Sequence, residues 1–151
     1  MIDVQPKRHI FSWLFLILSF AGFIDAFYLS AQRYRGANVI CAVTDGCDKV
    51  TASVYSTIGN VPVAFLGTFY YFAVFTLILF YLFNKKEKHF LLATGLTGFG
   101  FLASLWFVYL QIFVIKAICL YCMVSAGIST ILFLSGLYYV VTAKKTASKM
   151  V

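Results

Sequence analysis

Charged residues are scarce in this chain of 151 residues. They make up 11% of the sequence, whereas 62% of the residues are hydrophobic and the mean hydropathy is +0.92. A water-soluble domain carries roughly a quarter of charged residues, because its surface has to face water. The scarcity of charge therefore excludes a soluble globular protein and indicates that much of the apolar surface faces lipid.

Four apolar runs are long enough to cross a bilayer, which takes about 20 helical residues. We predict membrane-spanning helices over about 10–29, 61–83, 90–115 and 117–141. They are expected to be helices because a segment in lipid has to satisfy its own backbone hydrogen bonds. The first run exceeds the apolar region of a signal peptide, about 7–15 residues, and no small-residue cleavage site follows it. The sequence thus predicts an all-α integral membrane protein, a single domain over 1–151, with a four-helix bundle and a long loop at about 30–60.

The net charge of +7 indicates an orientation in the membrane. Eight basic residues flank the predicted helices on one side, namely Lys7, Arg8, Lys85, Lys86, Lys88, Lys144, Lys145 and Lys149. Four lie on the other side, namely Arg33, Arg35, Lys49 and Lys116. Because short loops rich in Lys and Arg stay cytoplasmic, we expect both termini in the cytoplasm and the 30–60 loop on the outer face of the cell membrane. The positive charge is therefore explained by the orientation of the helices in the membrane, and we expect no nucleic-acid partner.

All four cysteines fall on the predicted outer face, where the compartment is oxidising and disulfides persist. Cys119 and Cys122 form a C-x-x-C motif where the last helix begins, and a helix N-terminus lowers the pKa of a thiol. A bridge within one helix restrains almost nothing, so this pair favours redox chemistry or metal binding. Cys41 and Cys47, in the loop, form the kind of exposed pair that exchanges with other thiols. Two dithiols on one face predict an electron relay with all four cysteines catalytic.

Other classes of function remain open at this point. Four cysteines can bind zinc, but thiolates in an oxidising compartment form disulfides instead, and His9 and His89 are both predicted to be cytoplasmic. We therefore expect no metal site. A cysteine-based heavy-metal transporter would need cysteines or acids deeper in the membrane or on both sides. A purely structural four-helix protein would keep permanent disulfides, so the resistance of the Cys119–Cys122 bridge to mild reductant would distinguish it.

Several short motifs occur together over nearly the whole chain. They are Cys41 with Gly46-Cys47-Asp48-Lys49-Val50, Ser53 six residues after Cys47, Val61-Pro62 with Gly67, Tyr109-Leu110-Gln111 and Cys119-Leu120-Tyr121-Cys122. In this combination the chain resembles the vitamin K epoxide reductase family, specifically its prokaryotic members.

The resemblance implies four core helices around a quinone of the ubiquinone, menaquinone or vitamin K type. It implies that Cys41 exchanges with a thiol partner, that Cys47 passes electrons to Cys119, and that Cys122 faces the quinone. The implied quinone site includes Ser53, Phe65 and Cys122. We expect residues 49–58 to form a short surface helix that covers this site, with Ser53 on its lower side.

The implied function is the reoxidation of a thioredoxin-like protein on the outer face, which drives disulfide formation in secreted proteins. Many prokaryotic relatives carry a fused thioredoxin-like domain. This chain ends at Val151, after a helix that returns to the cytoplasm, so we expect a stand-alone member whose partner is a separate protein. Vertebrate members carry a tyrosine four residues after the last cysteine, where this chain has Ala126. Quinone reduction therefore fits better than the alternative, a vitamin K quinone or epoxide reductase proper.

Asp25 lies about one turn from the outer end of the first predicted helix. A carboxylate within a membrane span is costly and is a functional candidate by default. We favour a structural role, either at headgroup water or paired with Arg33, over the handling of protons that quinone reduction takes up.

Overall fold

The computed structural model describes residues 5–36, 39 and 46–149 of the chain. Helix α1 spans Gln5–Arg35, α2 Gly46–Ala52, α3 Val63–Asn84, α4 Glu87–Tyr109 and α5 Leu120–Lys149. A 3₁₀ helix (Val54–Ser56) and two short strands, β1 (Thr57–Ile58) and β2 (Val61–Pro62), lie between α2 and α3. A π-helix (Leu110–Ile115) continues α4.

The four long helices form a closed ring. Helix α1 packs against α3, α3 against α4, α4 against α5, and α5 against α1. Large buried side chains fill the centre, among them Phe15, Tyr71, Ile78, Phe90 and Leu132. Each long helix thus packs against two others. The 46–62 segment and the C-x-x-C motif lie at the same end of the bundle, where α2 contacts α5.

The outer surface of the ring is apolar, as a lipid-facing surface has to be. Trp13, Phe20, Phe99 and Leu102 are each more than half exposed. Within the described residues four helical stretches are long and apolar enough to cross a membrane, and their mean hydropathies lie between 1.8 and 2.1. They are His9–Arg35, Val63–Asn84, Glu87–Ile115 and Leu120–Ala143. The predicted all-α membrane protein with four spanning helices is confirmed.

The helix boundaries differ from the predicted ones by several residues. The first helix extends in both directions beyond 10–29, because polar residues continue it outside the apolar run. The second begins at Val63, since Val61 and Pro62 form β2 and pair with Ile58 and Thr57. The last begins at Leu120, three residues after the predicted start, because the chain turns at Lys116–Cys119.

The segment before α3 is not the single surface helix predicted over 49–58. Helix α2 ends at Ala52, where the Ser53 hydroxyl donates a 2.7 Å hydrogen bond to the Val50 carbonyl. The Ser56 hydroxyl likewise donates to the carbonyls of Thr51 and Ser53. Such local side-chain bonds compete with helix continuation. The β-branched Thr57 and Ile58 then form a strand, and Gly59 supplies the positive φ of +64° that the turn to β2 needs.

Candidate redox site

Cys119 occupies the position directly before the first residue of α5, rather than lying within the helix. Its carbonyl accepts the N–H of Met123 at 3.1 Å. Its sulfur accepts hydrogen bonds from the Cys122 thiol and from the backbone N–H groups of Cys122 and Tyr121. These are the N–H groups that an N-cap side chain ordinarily satisfies. The thiol of Cys122, followed by these N–H groups, lowers the pKa of Cys119 to about 7, although burial opposes the shift. Cys119 therefore carries a substantial thiolate fraction near neutral pH.

Gln111 fixes the turn that brings Cys119 to this position. It lies in the π-helix and is 2% exposed. Its backbone carbonyl accepts N–H bonds from Lys116 and Ala117, and Lys116 takes the left-handed conformation with φ of +54°. Its side-chain Oε1 accepts the Cys119 N–H at 2.9 Å. One glutamine thus satisfies three N–H groups of a turn, and π-helical segments often mark functional sites.

Cys47 lies beside Cys119 in a second buried cluster. Both cysteines are fully buried, together with Leu29, Val39 and Val50. Cys47 is disulfide-bonded, whereas Cys119 and Cys122 are free thiols, so its bond is to neither of them. Cys41 lies outside the described residues.

A close backbone contact holds the loop against the C-x-x-C motif. The Cα of Gly46 lies so close to the backbone of Ile118 that a side chain at position 46 would collide with the Ile118 carbonyl oxygen. Glycine permits such an approach because it has no Cβ. A hydrogen bond also ties α2 to the preceding part of the loop, because Asp48 Oδ1 accepts the Val39 N–H at 2.8 Å. The start of α2 is therefore held against the turn that precedes Cys119, and Cys47 and Cys119 share one buried cluster.

A cavity of about 320 Å³ opens within the bundle beside Cys122. Helices α1, α3, α4 and α5 and the 50–58 segment all contribute to its lining, which is mostly apolar. A few polar side chains also line it, namely Asp25, Arg33, Thr51, Ser53, Ser56, Ser104, Gln111, Ser125 and Ser129. A concave apolar site with a few convergent polar groups is typical of small-molecule binding.

Two tyrosines cross the bundle at the inner part of the cavity. The Tyr71 hydroxyl donates to the Ser125 carbonyl at 2.7 Å and lies 2.9 Å from the Ser125 hydroxyl. The ring of Tyr71 packs where Gly22 has no side chain. Tyr70 lies 3.4 Å from the Ser129 hydroxyl. The sequence analysis did not identify these residues, although consecutive tyrosines in an apolar run, with serines four residues apart in the last helix, were a visible signal.

A family model described as the vitamin K epoxide reductase family matches residues 13–137. This chain belongs to the vitamin K epoxide reductase family. No curated protein matches it. Members of the family are oxidoreductases with a quinone-linked redox function, so the chain is a multi-pass membrane oxidoreductase that uses a quinone.

The structure brings together two of the three quinone-site residues that the resemblance to the vitamin K epoxide reductase family implied. Ser53 and Cys122 line the cavity, and so does Ala126. Phe65 is not among the lining residues, although its neighbours Ala64 and Leu66 are. The ring of Phe65 instead packs edge-on against Tyr34 and Phe69, with centroids 6.0 and 4.9 Å away. Phe65 therefore packs beside the cavity lining rather than within it.

Asp25 faces the same cavity in this family member. Its Oδ2 is buried and has no hydrogen-bond partner, so that oxygen is not paired with Arg33. Arg33 lines the cavity too, but eight residues along α1 correspond to about 12 Å of helix. The sequence expectation that paired the two residues is not supported at Oδ2. The other carboxyl role considered from the sequence, the handling of protons, therefore stays open for Asp25.

Proposed function

We propose that this protein reoxidises a separate thioredoxin-like protein on the outer face of the cell membrane, and thereby drives disulfide formation in secreted proteins. Electrons enter at Cys41 and Cys47, pass to Cys119 and Cys122, and leave on a quinone bound in the cavity. The observation that carries this proposal is the arrangement of the three described cysteines. Cys119 is buried beside Cys47, while Cys122 alone of the three lines the cavity.

The proposed relay proceeds by thiol–disulfide exchange, in which one sulfur attacks another directly. A partner thiolate attacks Cys41 and releases Cys47, and the partner's second thiol then displaces Cys41, so that the partner leaves as a disulfide. The released Cys47 attacks the Cys119–Cys122 disulfide, which forms a Cys47–Cys119 bridge and frees the Cys122 thiol. Cys41 then attacks Cys47, which restores the loop disulfide and frees the Cys119 thiolate. The lowered pKa of Cys119 makes it a good leaving group in this last exchange. After this exchange Cys47 is oxidised and Cys119 and Cys122 are reduced, which is the state just before electrons reach the quinone.

The cavity fits a quinone in size and chemistry. Its volume of about 320 Å³ lies within the range of small-molecule sites, about 300–1,000 Å³. Apolar side chains suit the ring and its tail, while Ser53 and Gln111 are among the polar groups of the lining. Ala126 gives the lining a small side chain at the position where vertebrate members of the family carry a tyrosine. This supports a ubiquinone or menaquinone type of substrate over vitamin K epoxide, whose reduction remains the alternative activity.

The orientation is part of the proposal. The distribution of Lys and Arg puts the 30–60 loop outside and both termini in the cytoplasm. The relay then faces the oxidising compartment, where a thioredoxin-like partner would meet its substrates. Lipid surrounds the apolar outer surface of the ring.

The function is tested by mixing purified, fully reduced protein with a short-chain quinone and following thiol loss and quinol formation together. The wild type is expected to lose two thiols for each quinol formed. Cys122→Ser is expected to abolish quinol formation, whereas Cys41→Ser, supplied with a small soluble dithiol, is expected to keep turning over. Equal loss of activity in both variants would contradict the division of roles. Thiol oxidation without quinol would contradict the quinone as electron acceptor.

A further inference from the structure

Asp25 is the only carboxylic acid among the described residues that line the cavity. It shares the cavity with Cys122, and its charge lies within electrostatic range of both Cys119 and Cys122. Its Oδ2 is buried without a hydrogen-bond partner. An unpaired negative charge in an apolar site is costly, and a bound proton removes that cost. The geometry therefore places a group that can carry a proton in the same cavity as Cys122.

The proton balance of quinone reduction requires a proton donor in this cavity. Formation of a disulfide releases two electrons, and conversion of a quinone to a quinol takes up two electrons and two protons. Cys119 accepts hydrogen bonds at its sulfur, and with a pKa of about 7 a substantial fraction of it is thiolate near neutral pH, a form that has no proton to give. Cys122 brings only one proton. A second proton has to reach the quinone from elsewhere in a cavity that is largely apolar.

We propose that Asp25 is the catalytic acid that delivers this second proton to the quinone oxygen. This inference rests on the proposed quinone-linked function. The Cys119 thiolate and the Cys122 thiol join as a disulfide and give two electrons to the quinone. The Cys122 proton and the Asp25 proton complete the quinol, and Asp25 is left as a carboxylate. Water at the mouth of the cavity, near Arg33, returns the proton before the next turnover.

Among the described residues around Asp25 there is no second carboxylic acid. The titratable and charged groups that line the cavity or interact electrostatically with Asp25 are Arg33, Tyr55, Tyr70, Tyr71, Cys119, Tyr121 and Cys122. The described cavity-lining residues of α4 include no titratable side chain. Tyr71 already donates its proton to Ser125, and Arg33 does not give up a proton in proteins. Among these described groups, Asp25 is the carboxylic acid that lines the cavity and has an oxygen without a hydrogen-bond partner.

The experiment compares Asp25→Asn and Asp25→Glu in the full-length protein, with Glu87→Gln as a matched control. Glu87 begins α4 at the opposite end of the bundle, so its amide variant removes a carboxylate far from the cavity. Two single-turnover reactions are followed with the C-x-x-C pair reduced. One is quinol formation with a short-chain quinone, over a range of pH. The other is exchange with a soluble aromatic disulfide, which oxidises the same thiols without any quinone.

Loss of general acid catalysis typically slows a reaction by about 10²–10⁴-fold. Asp25→Asn is therefore expected to slow quinol formation at least about tenfold, while exchange with the soluble disulfide stays within about twofold. Asp25→Glu should restore much of the rate. The wild-type rate should fall at high pH as Asp25 loses its proton, and that decline should vanish in Asp25→Asn.

Three outcomes would overturn the inference. In the first, Asp25→Asn forms quinol at the wild-type rate. In the second, both Asp25 variants slow the two reactions equally, which marks Asp25 as a packing residue. In the third, the decline at high pH persists in Asp25→Asn. A wild type that forms no quinol would instead contradict the proposed function itself, so the two failures are distinguishable.

Discussion

The side-chain oxygen of Gln111 accepts a 2.9 Å hydrogen bond from the backbone N–H of Cys119. Both residues are buried, and the bond connects the π-helix after α4 to the start of α5. The first N–H groups of a helix have no partner within the helix itself. Gln111 therefore joins the geometry of the turn to the position of the reactive sulfur.

Gln111→Met removes this acceptor at nearly constant volume. Leaving a buried N–H without a partner costs about 1–3 kcal/mol, so we expect the free energy of unfolding to fall by that amount. Denaturant unfolding in mixed micelles measures it. Gln32→Met is the matched control, because Gln32 donates only to the partly buried Tyr28 hydroxyl at 3.1 Å. Equal losses in the two variants would contradict the assigned role of Gln111.

Cys122→Ala is expected to raise the pKa of Cys119 from about 7 towards its ordinary value of 9.0. The Cys122 thiol is the largest cause of the lowered value, because its hydrogen bond stabilises the thiolate. Cys122→Ser keeps a donor at this place and should keep the pKa well below that of the alanine variant. Ultraviolet titration of the thiolate measures both, and identical pKa values in the two variants would contradict the mechanism.

Gly46→Ala is expected to slow electron transfer from the loop to the C-x-x-C motif. The added Cβ would collide with the Ile118 carbonyl, so α2 has to move away from Cys119. Oxidation of a protein thiol substrate should slow, while quinol formation with a small soluble dithiol should persist. Gly127→Ala is the control, because nothing lies within 4 Å of a Cβ at that position. A normal rate with the protein substrate in Gly46→Ala would count against the contact.

The relay itself is tested by removing both resolving cysteines. With Cys41→Ser and Cys122→Ser combined, neither Cys47 nor Cys119 has another sulfur to exchange with. Their common buried cluster favours a direct bond, and disulfide geometry needs the two Cα atoms within about 7 Å. We expect a stable Cys47–Cys119 bridge under mild oxidation, seen by mass spectrometry as joined peptides. Recovery of two separate free thiols would contradict the relay.

The orientation of the bundle is tested with topology reporters fused at residue 50 and at the C-terminus. Eight basic residues flank the helices on the side of the termini and four on the side of the loop. We expect an outer location at residue 50 and a cytoplasmic location at the C-terminus. A cytoplasmic signal at residue 50 would remove the oxidising compartment on which the proposed relay depends.

The sequence by itself determined the class of the protein. Four apolar runs and few charges require lipid, because the apolar surface cannot face water, and this prediction is independent of how the helices pack. The spacing of Cys119 and Cys122 and the surrounding motifs also sufficed to identify the family. These features are local in the chain, so they can be read without knowing the fold.

Only the tertiary structure decided how the site is assembled. Gln111 and Cys119 are eight residues apart, and their contact depends on a π-helix and a left-handed Lys116 that apolar periodicity does not reveal. Local hydroxyl bonds ended the predicted surface helix at Ala52. The direction of a side chain around its helix decides that Asp25 lines the cavity and that Phe65 packs against Phe69 instead. The sequence does not reveal this direction, because lipid-facing and cavity-facing positions in an apolar helix have similar residues. Such directions depend on which helices become neighbours, and that is a property of the packed bundle.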